Sequence, residues 1–380
     1  MSIKGQVAIV GVAESELGHV PHMSAIDLMA QAAKRALDEA GINKAEVDGL
    51  FCASSYHYMP TLSIGAYLGI VPRYTDSTTV GGSSFVSHLF HAAAAIQAGL
   101  CNVALICYGS TQRTDSGKLV SMSEKSPFEE PFGPIYPISS YALAARRHMA
   151  QYGTTSEQLA EVAVAARQWA SMNSSAFKRD PITVQDVLES PMISSPLHKL
   201  DCCLVTDGGG AVVVTSAERA KTLRKKPVYL LGAGEAHFHR SIIEMPDLTV
   251  TAASISGQRA FEMAGVKPAD MDLVMLYDAF TINVILFLED LGFCQKGEGG
   301  AFVSNGRIAP GGELAVNTNG GGLSYCHPGM LGIFLIIEAV RQLRGECGER
   351  QLNRCDMAVV NGNGGVLSSQ VTAILGNEPK

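Results

Sequence analysis

Apolar residues along the chain follow two alternating patterns. Short, nearly continuous apolar runs, such as residues 6–13 and 103–108, predict buried β-strands. Apolar residues spaced three or four apart predict amphipathic helices, at residues 24–40, 87–98 and 156–172. Because strands and helices alternate in this way, the pattern indicates an α/β protein built from βαβ units.

One stretch of this pattern occurs twice. Residues 40–51 (AGINKAEVDGLF) and 264–275 (AGVKPADMDLVM) each contain a glycine that ends a helix, a short polar turn and an apolar strand. A matching strand and helix precede the second copy, at residues 227–234 and 251–264. We therefore predict two duplicated βαβ-type halves, residues 1–225 and 226–380, with a loop region at about 110–204 in the first.

Composition narrows the function classes. The 380 residues are 47% hydrophobic and 17% charged, as expected of a large, well-buried enzyme. The net charge of −7 gives no reason to expect nucleic acid. The most apolar stretch, residues 332–340, is interrupted by Glu338, so no membrane span is expected. The first residues lead directly into a strand, and we expect a cytoplasmic protein without a signal peptide.

The nine cysteines show no metal-binding spacing. No C-x-x-C pair is present, although Cys202 and Cys203 are adjacent, so we expect no metal site. An odd number of cysteines in a chain without a leader agrees with reduced, mostly buried thiols.

The Gly-rich segment at residues 317–332 concentrates the candidate chemistry. Its glycines allow sharp turns and a close approach to a ligand, and Tyr325, Cys326 and His327 lie among them. A histidine held in such a loop is positioned for acid–base work or for a hydrogen bond to a carbonyl oxygen. An apolar run at residues 333–343 predicts that a helix follows the loop.

Four further motifs accompany this loop in a fixed order. They are GGSSFVS at 81–87, DGGGA at 207–211, YDAF at 277–280 and NGNGG at 361–365. With the His loop, they resemble the motifs of the thiolase superfamily, most closely its sterol-carrier-protein-type thiolases and lipid-transfer-like proteins. The resemblance implies an α/β thiolase fold with five layers, α/β/α/β/α, made from two duplicated halves.

Three positions depart from the thiolase pattern. The resemblance matches Gly81 with the nucleophilic Cys, Asn361 with the acid–base Cys, and Tyr277 with the Asn that orders water in the oxyanion site. Only His327 is retained. Because an acyl-enzyme requires an activated thiolate at a helix N-terminus, thiolase chemistry is poorly supported.

A retro-aldol cleavage of a 3-hydroxyacyl-CoA needs no acyl-enzyme. It requires a base for the hydroxyl proton, donors to the thioester enolate and an acid for the enolate carbon. The chain resembles the thiolase-like aldolases of steroid side-chain degradation, which lack the nucleophilic Cys and use tyrosines. That resemblance implies cleavage of a bulky 3-hydroxyacyl-CoA to a ketone or aldehyde and a short acyl-CoA. The coenzyme A thioester is then the substrate, and no covalently bound cofactor is expected.

Four side chains are the candidate catalytic groups. We assign proton transfer to Tyr277 and Tyr325, without choosing which is the base and which is the acid. His327 would donate a hydrogen bond to the enolate oxygen. Asp278 would tune Tyr277 or orient a neighbour, and its alternative role is to cap the following helix.

Backbone groups complete the expected site. Gly81, Gly82 and Ser83 open a predicted helix, whose free N–H groups can bind an oxyanion. Asn361 and Gly364 of the C-terminal turn are expected beside them. The absence of a side chain at Gly81 would also leave room for a bulky acyl group.

Two other functions stay open. One is a thiolase-type acyltransferase that cleaves a 3-ketoacyl-CoA with a displaced nucleophile such as Cys326. The other is a non-catalytic acyl-CoA-binding subunit. The resemblance also implies a homodimer and a small zinc-ribbon/OB-fold partner protein, and any zinc would belong to that partner.

Overall fold

The computed structural model describes residues 3–117 and 126–379. Residues 118–125 of the loop region predicted at about 110–204 lie outside the described parts. The strands are β1 (Val7–Glu14), β2 (Gly49–Cys52), β3 (Tyr74–Asp76), β4 (Val103–Ser110), β5 (Met192–Ser194), β6 (Leu197–His198), β7 (Gly208–Ser216), β8 (Val228–His237), β9 (Leu273–Leu276), β10 (Ala315–Val316), β11 (Met357–Gly364) and β12 (Ser369–Gly376).

The helices lie between these strands. They are α1 (Ala25–Ala40), α2 (Pro60–Leu68), α3 (Ser84–Gln97), α4 (Gln112–Ser116), α5 (Ile138–Tyr152), α6 (Ser156–Ser171), α7 (Val184–Glu189), α8 (Ala217–Ala220), α9 (Ala253–Ala264), α10 (Thr281–Asp290), α11 (Gly299–Val303) and α12 (Gly332–Arg344). In the parts of the chain that the structure describes, we find no helix with the length and hydrophobicity of a membrane span.

Ten strands form one mixed sheet that repeats about its centre. Its order is β10-β9-β11-β12-β8-β1-β7-β4-β2-β3. Outward from the central pair β1 and β8, the two sides carry equivalent strands: β7 and β12, β4 and β11, β2 and β9, then β3 and β10. The predicted duplication is therefore confirmed. The boundary at residues 225/226 stays a prediction.

The two inner strands need glycine at equivalent positions. A Cβ added at Gly11 of β1 would lie 2.1 Å from the carbonyl oxygen of Ala36 in α1. A Cβ added at Gly232 of β8 would lie 2.2 Å from the carbonyl oxygen of Ala260 in α9. Both halves thus bring their outer helix onto the inner strand by the same close approach, which only glycine permits.

The helices complete five layers. Helix α1 packs on strands of the first half and α9 on strands of the second, whereas α3 and α12 contact strands of both halves and each other. A Cβ at Gly362 of β11 would lie 3.0 Å from the Cα of Ser83, beside α3. A Cβ at Gly210 of β7 would lie 2.9 Å from Ile333 of α12. With α3 and α12 between the two halves of the sheet, the expected α/β/α/β/α arrangement is confirmed.

This architecture brings several segment ends together. Strands β9 and β11 pair in parallel, so their carboxyl ends lie at one edge of the sheet. The YDAF motif follows β9, and the turn at residues 364–368 follows β11. The N-termini of α3 and α12 reach the same region, since a Cβ at Gly332 would lie 2.2 Å from the carbonyl oxygen of Gly82.

Candidate functional site

Tyr277 and His327 form a buried pair at this edge of the sheet. The Tyr277 hydroxyl lies 3.0 Å from Nε2 of His327, and the two rings meet edge to face with centroids 5.6 Å apart. The backbone N–H of Leu331 donates to the same hydroxyl oxygen over 3.2 Å. The backbone of Tyr277 is fixed as well, because its N–H donates to the carbonyl of Asn361. The structure therefore brings together two of the four candidate catalytic side chains.

The Tyr277 ring lies over the glycine turn that precedes α3. A Cβ at Gly82 would lie 2.2 Å from Cε2 of Tyr277 and 2.6 Å from its hydroxyl oxygen. Any larger residue at position 82 would displace the phenol. Glycine here is a requirement of the Tyr277–His327 pair.

The structure corrects the expectation about space at Gly81. This residue has a φ of +70°, and a Cβ there would lie 2.7 Å from the nitrogen of Gly365 and 2.9 Å from the Cα of Gly364. The backbone of the C-terminal turn fills the direction in which a side chain would point. Gly81 therefore lets two backbone segments meet, and the room expected there for a bulky acyl group is occupied.

Two serines tie this turn to α3. The Ser83 hydroxyl donates to the carbonyl of Val80 over 2.8 Å and lies 2.8 Å from the Ser369 hydroxyl on β12. The Ser84 hydroxyl donates to the carbonyl of Gly81 over 2.6 Å. Both hydroxyls donate to backbone carbonyls of the glycine turn, and Ser83 also contacts β12, so the two serines hold this turn in place.

Asp278 anchors the His loop. Its two carboxylate oxygens accept hydrogen bonds from the backbone N–H groups of Gly322 (2.7 Å) and Leu323 (3.2 Å). These residues belong to the π-helical turn Gly321–Tyr325. Burial raises the pKa of Asp278 to about 7 against the opposing effect of these hydrogen bonds. The N-cap residue of α10 is Phe280, so the carboxylate of Asp278 binds the His loop and does not cap that helix.

The structure does not bring Tyr325 to His327. The Tyr325 hydroxyl donates to Oε1 of Glu14 over 2.7 Å, at the end of β1. Nη1 of Arg341, on α12, donates to the same oxygen over 2.6 Å. The π-helical turn ends at Tyr325, and extended backbone at Cys326 redirects the chain. The Tyr325 hydroxyl is therefore held by Glu14 in the core, and it makes no hydrogen bond with His327 among the described residues.

The side chains of Cys326 and Asn361 form no hydrogen bond with the Tyr277–His327 pair in the described part of the chain. Cys326 is fully buried, and burial raises the pKa of its thiol well above the usual value, so it is not a thiolate. The Asn361 amide donates to Gln370 over 3.0 Å and accepts from Thr372 over 2.8 Å, both on β12. Its neighbour Gly362 faces α3, and alternate residues of a strand face opposite sides, so the Asn361 side chain faces away from α3.

Two residues near the site carried no motif in the sequence. The Tyr141 hydroxyl, on α5, donates to the carbonyl of Gly365 over 3.1 Å. The backbone N–H of Cys203 donates to the carbonyl of Ala279 over 2.9 Å, which places this thiol beside the YDAF motif. Burial raises the pKa of Cys203 well above its usual value, with further contributions from Cys202 and Asp278. The long segment that carries Cys203 was the available signal, because such connections often carry function.

Electrostatics define the protonation of the central pair. Burial lowers the pKa of His327 to about 4, so the imidazole is neutral near pH 7. Burial also raises the pKa of Tyr277 well above its usual value, so the phenol keeps its proton. Nδ1 of His327 has no hydrogen-bond partner among the described residues. The pair therefore offers two neutral groups that can hydrogen-bond to a developing oxyanion without a cost of reorganisation.

We expect His327 to stay neutral down to about pH 5, because its site excludes water. His91 serves as the opposite control, since the hydrogen bonds that it donates to Asp76 and Glu235 raise its pKa to about 10. NMR titration of ¹⁵N-histidine-labelled protein, with His327→Asn to assign the signal, would measure both. A His327 midpoint near the ordinary value of about 6.5 would contradict the expected burial of this ring.

No cluster of three or more His, Cys, Asp or Glu side chains suited to a metal ion occurs within residues 3–117 and 126–379.

Comparison with known proteins gives consistent relatives. The family described as "Thiolase C-terminal domain-like" matches residues 234–377. The chain is 33% identical to the 17-hydroxy-3-oxo-4-pregnene-20-carboxyl-CoA lyase of Mycobacterium tuberculosis, over 90% of this chain and 92% of the relative. It is 32% identical to the steroid side-chain-cleaving aldolase of Thermomonospora curvata, over 95% and 96%. It is also 32% identical to the acetyl-CoA acetyltransferase of Methanothermobacter thermautotrophicus, over 94% and 96%.

The solved structures agree. The "Ltp2-ChsH2(DUF35) aldolase" superposes with a TM-score of 0.89 at 31% identity and covers 98% of both chains. Human mitochondrial 3-ketoacyl-CoA thiolase superposes with a TM-score of 0.74, and its identity of 16% supports the shared fold alone. With its duplicated five-layered architecture, its ordered motifs and these relatives, the chain belongs to the thiolase superfamily.

Proposed function

We propose that this protein is a carbon–carbon lyase that cleaves a bulky 3-hydroxyacyl-CoA by a retro-aldol reaction. The products are a ketone or aldehyde and a shorter acyl-CoA. One observation carries the proposal: the Tyr277 phenol, 3.0 Å from His327, lies over the glycine turn where a thiolase carries its nucleophile. A phenol and a neutral imidazole can move protons and bind an enolate, but they cannot form the acyl-thioenzyme of a thiolase.

The reaction balances without an added acid, base or cofactor. The proton leaves the β-hydroxyl as the Cα–Cβ bond breaks, and the electron pair passes into the thioester enolate. The enolate carbon then takes up one proton, so the net proton count is unchanged. We assign the proton exchange to Tyr277 and the hydrogen bond to the enolate oxygen to His327. Asp278 would position both through the His loop.

Backbone N–H groups near the start of α3 are the proposed partners of the thioester. Gly81, Gly82 and Ser83 supply this helix N-terminus, and Gly364 packs against it, since a Cβ there would lie 1.6 Å from the carbonyl oxygen of Val80. Coenzyme A enters only as part of the substrate. The Mycobacterium and Thermomonospora relatives, a pregnene-carboxyl-CoA lyase and a steroid side-chain-cleaving aldolase, support a bulky, steroid-like acyl group.

Product analysis tests the reaction class. The purified protein, alone and co-purified with its partners, is offered a 3-hydroxyacyl-CoA and, separately, a 3-ketoacyl-CoA with free CoA. Mass spectrometry should detect a free ketone or aldehyde from the first and no thiolysis of the second. Thiolysis of the ketoacyl-CoA with no cleavage of the hydroxyacyl-CoA would contradict the proposal.

An acyltransferase is the second candidate, because an acetyltransferase relative is equally similar and Cys203 lies beside the YDAF motif. Cys203 replaces Cys326 as the thiol to test, since Cys326 is fully buried. Cys203→Ser should leave the lyase reaction within about threefold of wild type, whereas a nucleophile would lose at least about a thousandfold.

Tyr325→Phe should affect stability more than turnover. The variant loses a hydrogen bond to the charged Glu14, so we expect the free energy of unfolding to fall by about 2 kcal/mol. The turnover number should fall by less than about tenfold, because the hydroxyl does not reach His327. Urea denaturation and steady-state kinetics measure the two effects. Tyr229→Phe is the control for loss of a hydroxyl from another buried ring. A drop of a thousandfold or more in turnover would return Tyr325 to proton transfer.

We also propose a homodimer and a small zinc-ribbon/OB-fold partner. Strand β3 lies at an edge of the sheet, and exposed apolar side chains precede it, including Tyr58 (98% exposed) and Val71 (93% exposed). An open edge with such a surface is suited to pairing with a second copy. The similar structure of the "Ltp2-ChsH2(DUF35) aldolase", whose name joins two proteins, supports a heteromeric partner. Light scattering of the protein with and without its co-purified partner tests both assignments.

A further inference from the structure

A directed chain of buried hydrogen bonds connects β12 to β11. The Thr372 hydroxyl donates to Oδ1 of Asn361 over 2.8 Å. Nδ2 of Asn361 donates to Oε1 of Gln370 over 3.0 Å, and Nε2 of Gln370 donates to Oδ1 of Asn363 over 2.6 Å. Each amide accepts through its oxygen and donates through its nitrogen, so every hydrogen bond points in the same direction.

Tyr141 ends this chain. Its hydroxyl oxygen accepts from Nδ2 of Asn363 over 2.9 Å, and its O–H donates to the carbonyl of Gly365 over 3.1 Å. The ring packs against Phe280, the last residue of the YDAF motif, with centroids 4.5 Å apart. All these side chains are buried, and hydrogen bonds aligned head to tail strengthen one another in a low dielectric. The hydrogen-bond network therefore strengthens the bond that Tyr141 donates to the backbone carbonyl of Gly365.

That carbonyl belongs to a strained turn. Leu367, a fully buried and bulky residue, has a φ of +56°, which side chains other than glycine rarely adopt. Nε2 of His239 lies 3.0 Å from the carbonyl of Val366, and a carbonyl can only accept, so this nitrogen carries the proton. Strained residues persist where the surroundings over-determine them. Tyr141 and His239 hold this turn from outside it.

The turn also forms one wall of the proposed site. The nitrogen of Gly365 and the Cα of Gly364 lie where a side chain at Gly81 would point. A shift of the turn by a few tenths of an ångström would change the shape of the start of α3, over which Tyr277 lies. Small displacements of groups around a reacting centre lower the rate more than they lower affinity.

We propose that Tyr141 is a positioning residue, which fixes the turn at residues 364–368 against Gly81 through the hydrogen bond to Gly365. The inference rests on the proposed function only in naming the reaction that the turn serves. In this arrangement, Asn361 acts through the hydrogen-bond network that ends at Tyr141 and does not contact the substrate.

Tyr141→Phe tests the proposal, because it removes one hydroxyl and keeps the ring against Phe280. The turnover number should fall by about tenfold with KM within about twofold of wild type. Hydrogen–deuterium exchange of the backbone N–H groups at residues 364–368 should accelerate. Tyr152→Phe, on the same helix, is the matched control, since that hydroxyl accepts only a bond from its neighbour Gln151 in the part of the chain described. It should change neither quantity.

A second variant covers a failure of Tyr141→Phe to fold. Thr372→Val keeps the shape of the side chain and removes the first hydrogen bond of the network, which lies farthest from Tyr141. The turnover number and the exchange rates at residues 364–368 should therefore change in the same direction as in Tyr141→Phe, but by less. Unchanged exchange at the turn in both variants, or a loss confined to KM, would overturn the proposal. The kinetics are measured on whichever acyl-CoA reaction the wild type performs. A wild type without lyase activity would therefore overturn the proposed function while the exchange data still decided the role of Tyr141.

Discussion

Tyr277→Phe is expected to lower kcat/KM for the 3-hydroxyacyl-CoA by about a hundred- to ten-thousandfold, the usual range for loss of a general acid–base group. The phenol oxygen lies 3.0 Å from Nε2 of His327, and the ring packs against Gly82. Phenylalanine keeps the ring in this space, so the loss reflects the hydroxyl and not a cavity. The unfolding free energy should fall by about 1–3 kcal/mol, because the N–H of Leu331 loses its acceptor.

Steady-state kinetics and urea denaturation of Tyr277→Phe measure these two effects. Tyr229→Phe, on buried strand β8 three positions from β9 in the sheet, should retain kcat/KM within about twofold. Turnover of Tyr277→Phe within about threefold of wild type would remove Tyr277 from the mechanism.

Arg341→Met is expected to lower the free energy of unfolding by about 3 kcal/mol or more near neutral pH, which would be the largest stability effect among the variants considered. Arg341 donates to both carboxylate oxygens of Glu14, whose side chain is 13% exposed. Removal of the guanidinium leaves a mostly buried carboxylate with Tyr325 as its remaining side-chain donor. The anchor of the His loop on the core is then weakened as well.

The pH dependence of this loss follows from Glu14. Burial raises the pKa of Glu14, but Arg341 and Tyr325 outweigh burial, and the folded pKa lies below the ordinary 4.5. In wild type, this stabilisation is present above pH 4.5 and is lost as the pH falls through the folded pKa. In Arg341→Met, burial dominates and Glu14 takes up a proton readily, so the difference from wild type should shrink as the pH falls toward about 4.

Urea denaturation of wild type and Arg341→Met near neutral pH and near about pH 4 tests whether the stability difference between them shrinks as the pH falls. Arg354→Met is the control, because its ion pair with Asp356 is exposed (76% and 54%) and should contribute little to stability. An equal loss at both pH values would show that packing, and not the buried charge, dominates at Arg341.

Short-range sequence patterns were sufficient for the fold. Glycine-ended helices followed by apolar strands are local signals, and their repetition at residues 40–51 and 264–275 predicted the duplicated halves now seen in β1–β4 and β8–β11. The ordered motifs predicted the thiolase fold, which the relatives and solved structures confirm. The sequence named Tyr277, Tyr325 and His327 as candidate catalytic groups, and the structure pairs Tyr277 with His327.

The directions in which side chains point were harder to predict from the sequence. Tyr325 lies two residues from His327 in sequence, yet a π-helical turn followed by extended backbone sends its hydroxyl to Glu14. Asn361 matched a catalytic cysteine by position, but its amide is bound to Gln370 and Thr372. Neither result follows from residue spacing, because Tyr325 depends on a contact with distant β1 and on one unusual turn, and Asn361 depends on its contacts with the neighbouring strand β12.

The sequence by itself determined the duplicated α/β architecture, the superfamily and the loss of the thiolase nucleophile, because these follow from local periodicity and from which residues occupy the motifs. The tertiary structure alone decided that Tyr277 is the phenol at His327, that backbone fills the space beside Gly81, and that Tyr141 supports the C-terminal turn. These depend on packing between segments as distant as β1, α5 and β11. Only the folded chain brings those segments within hydrogen-bond distance.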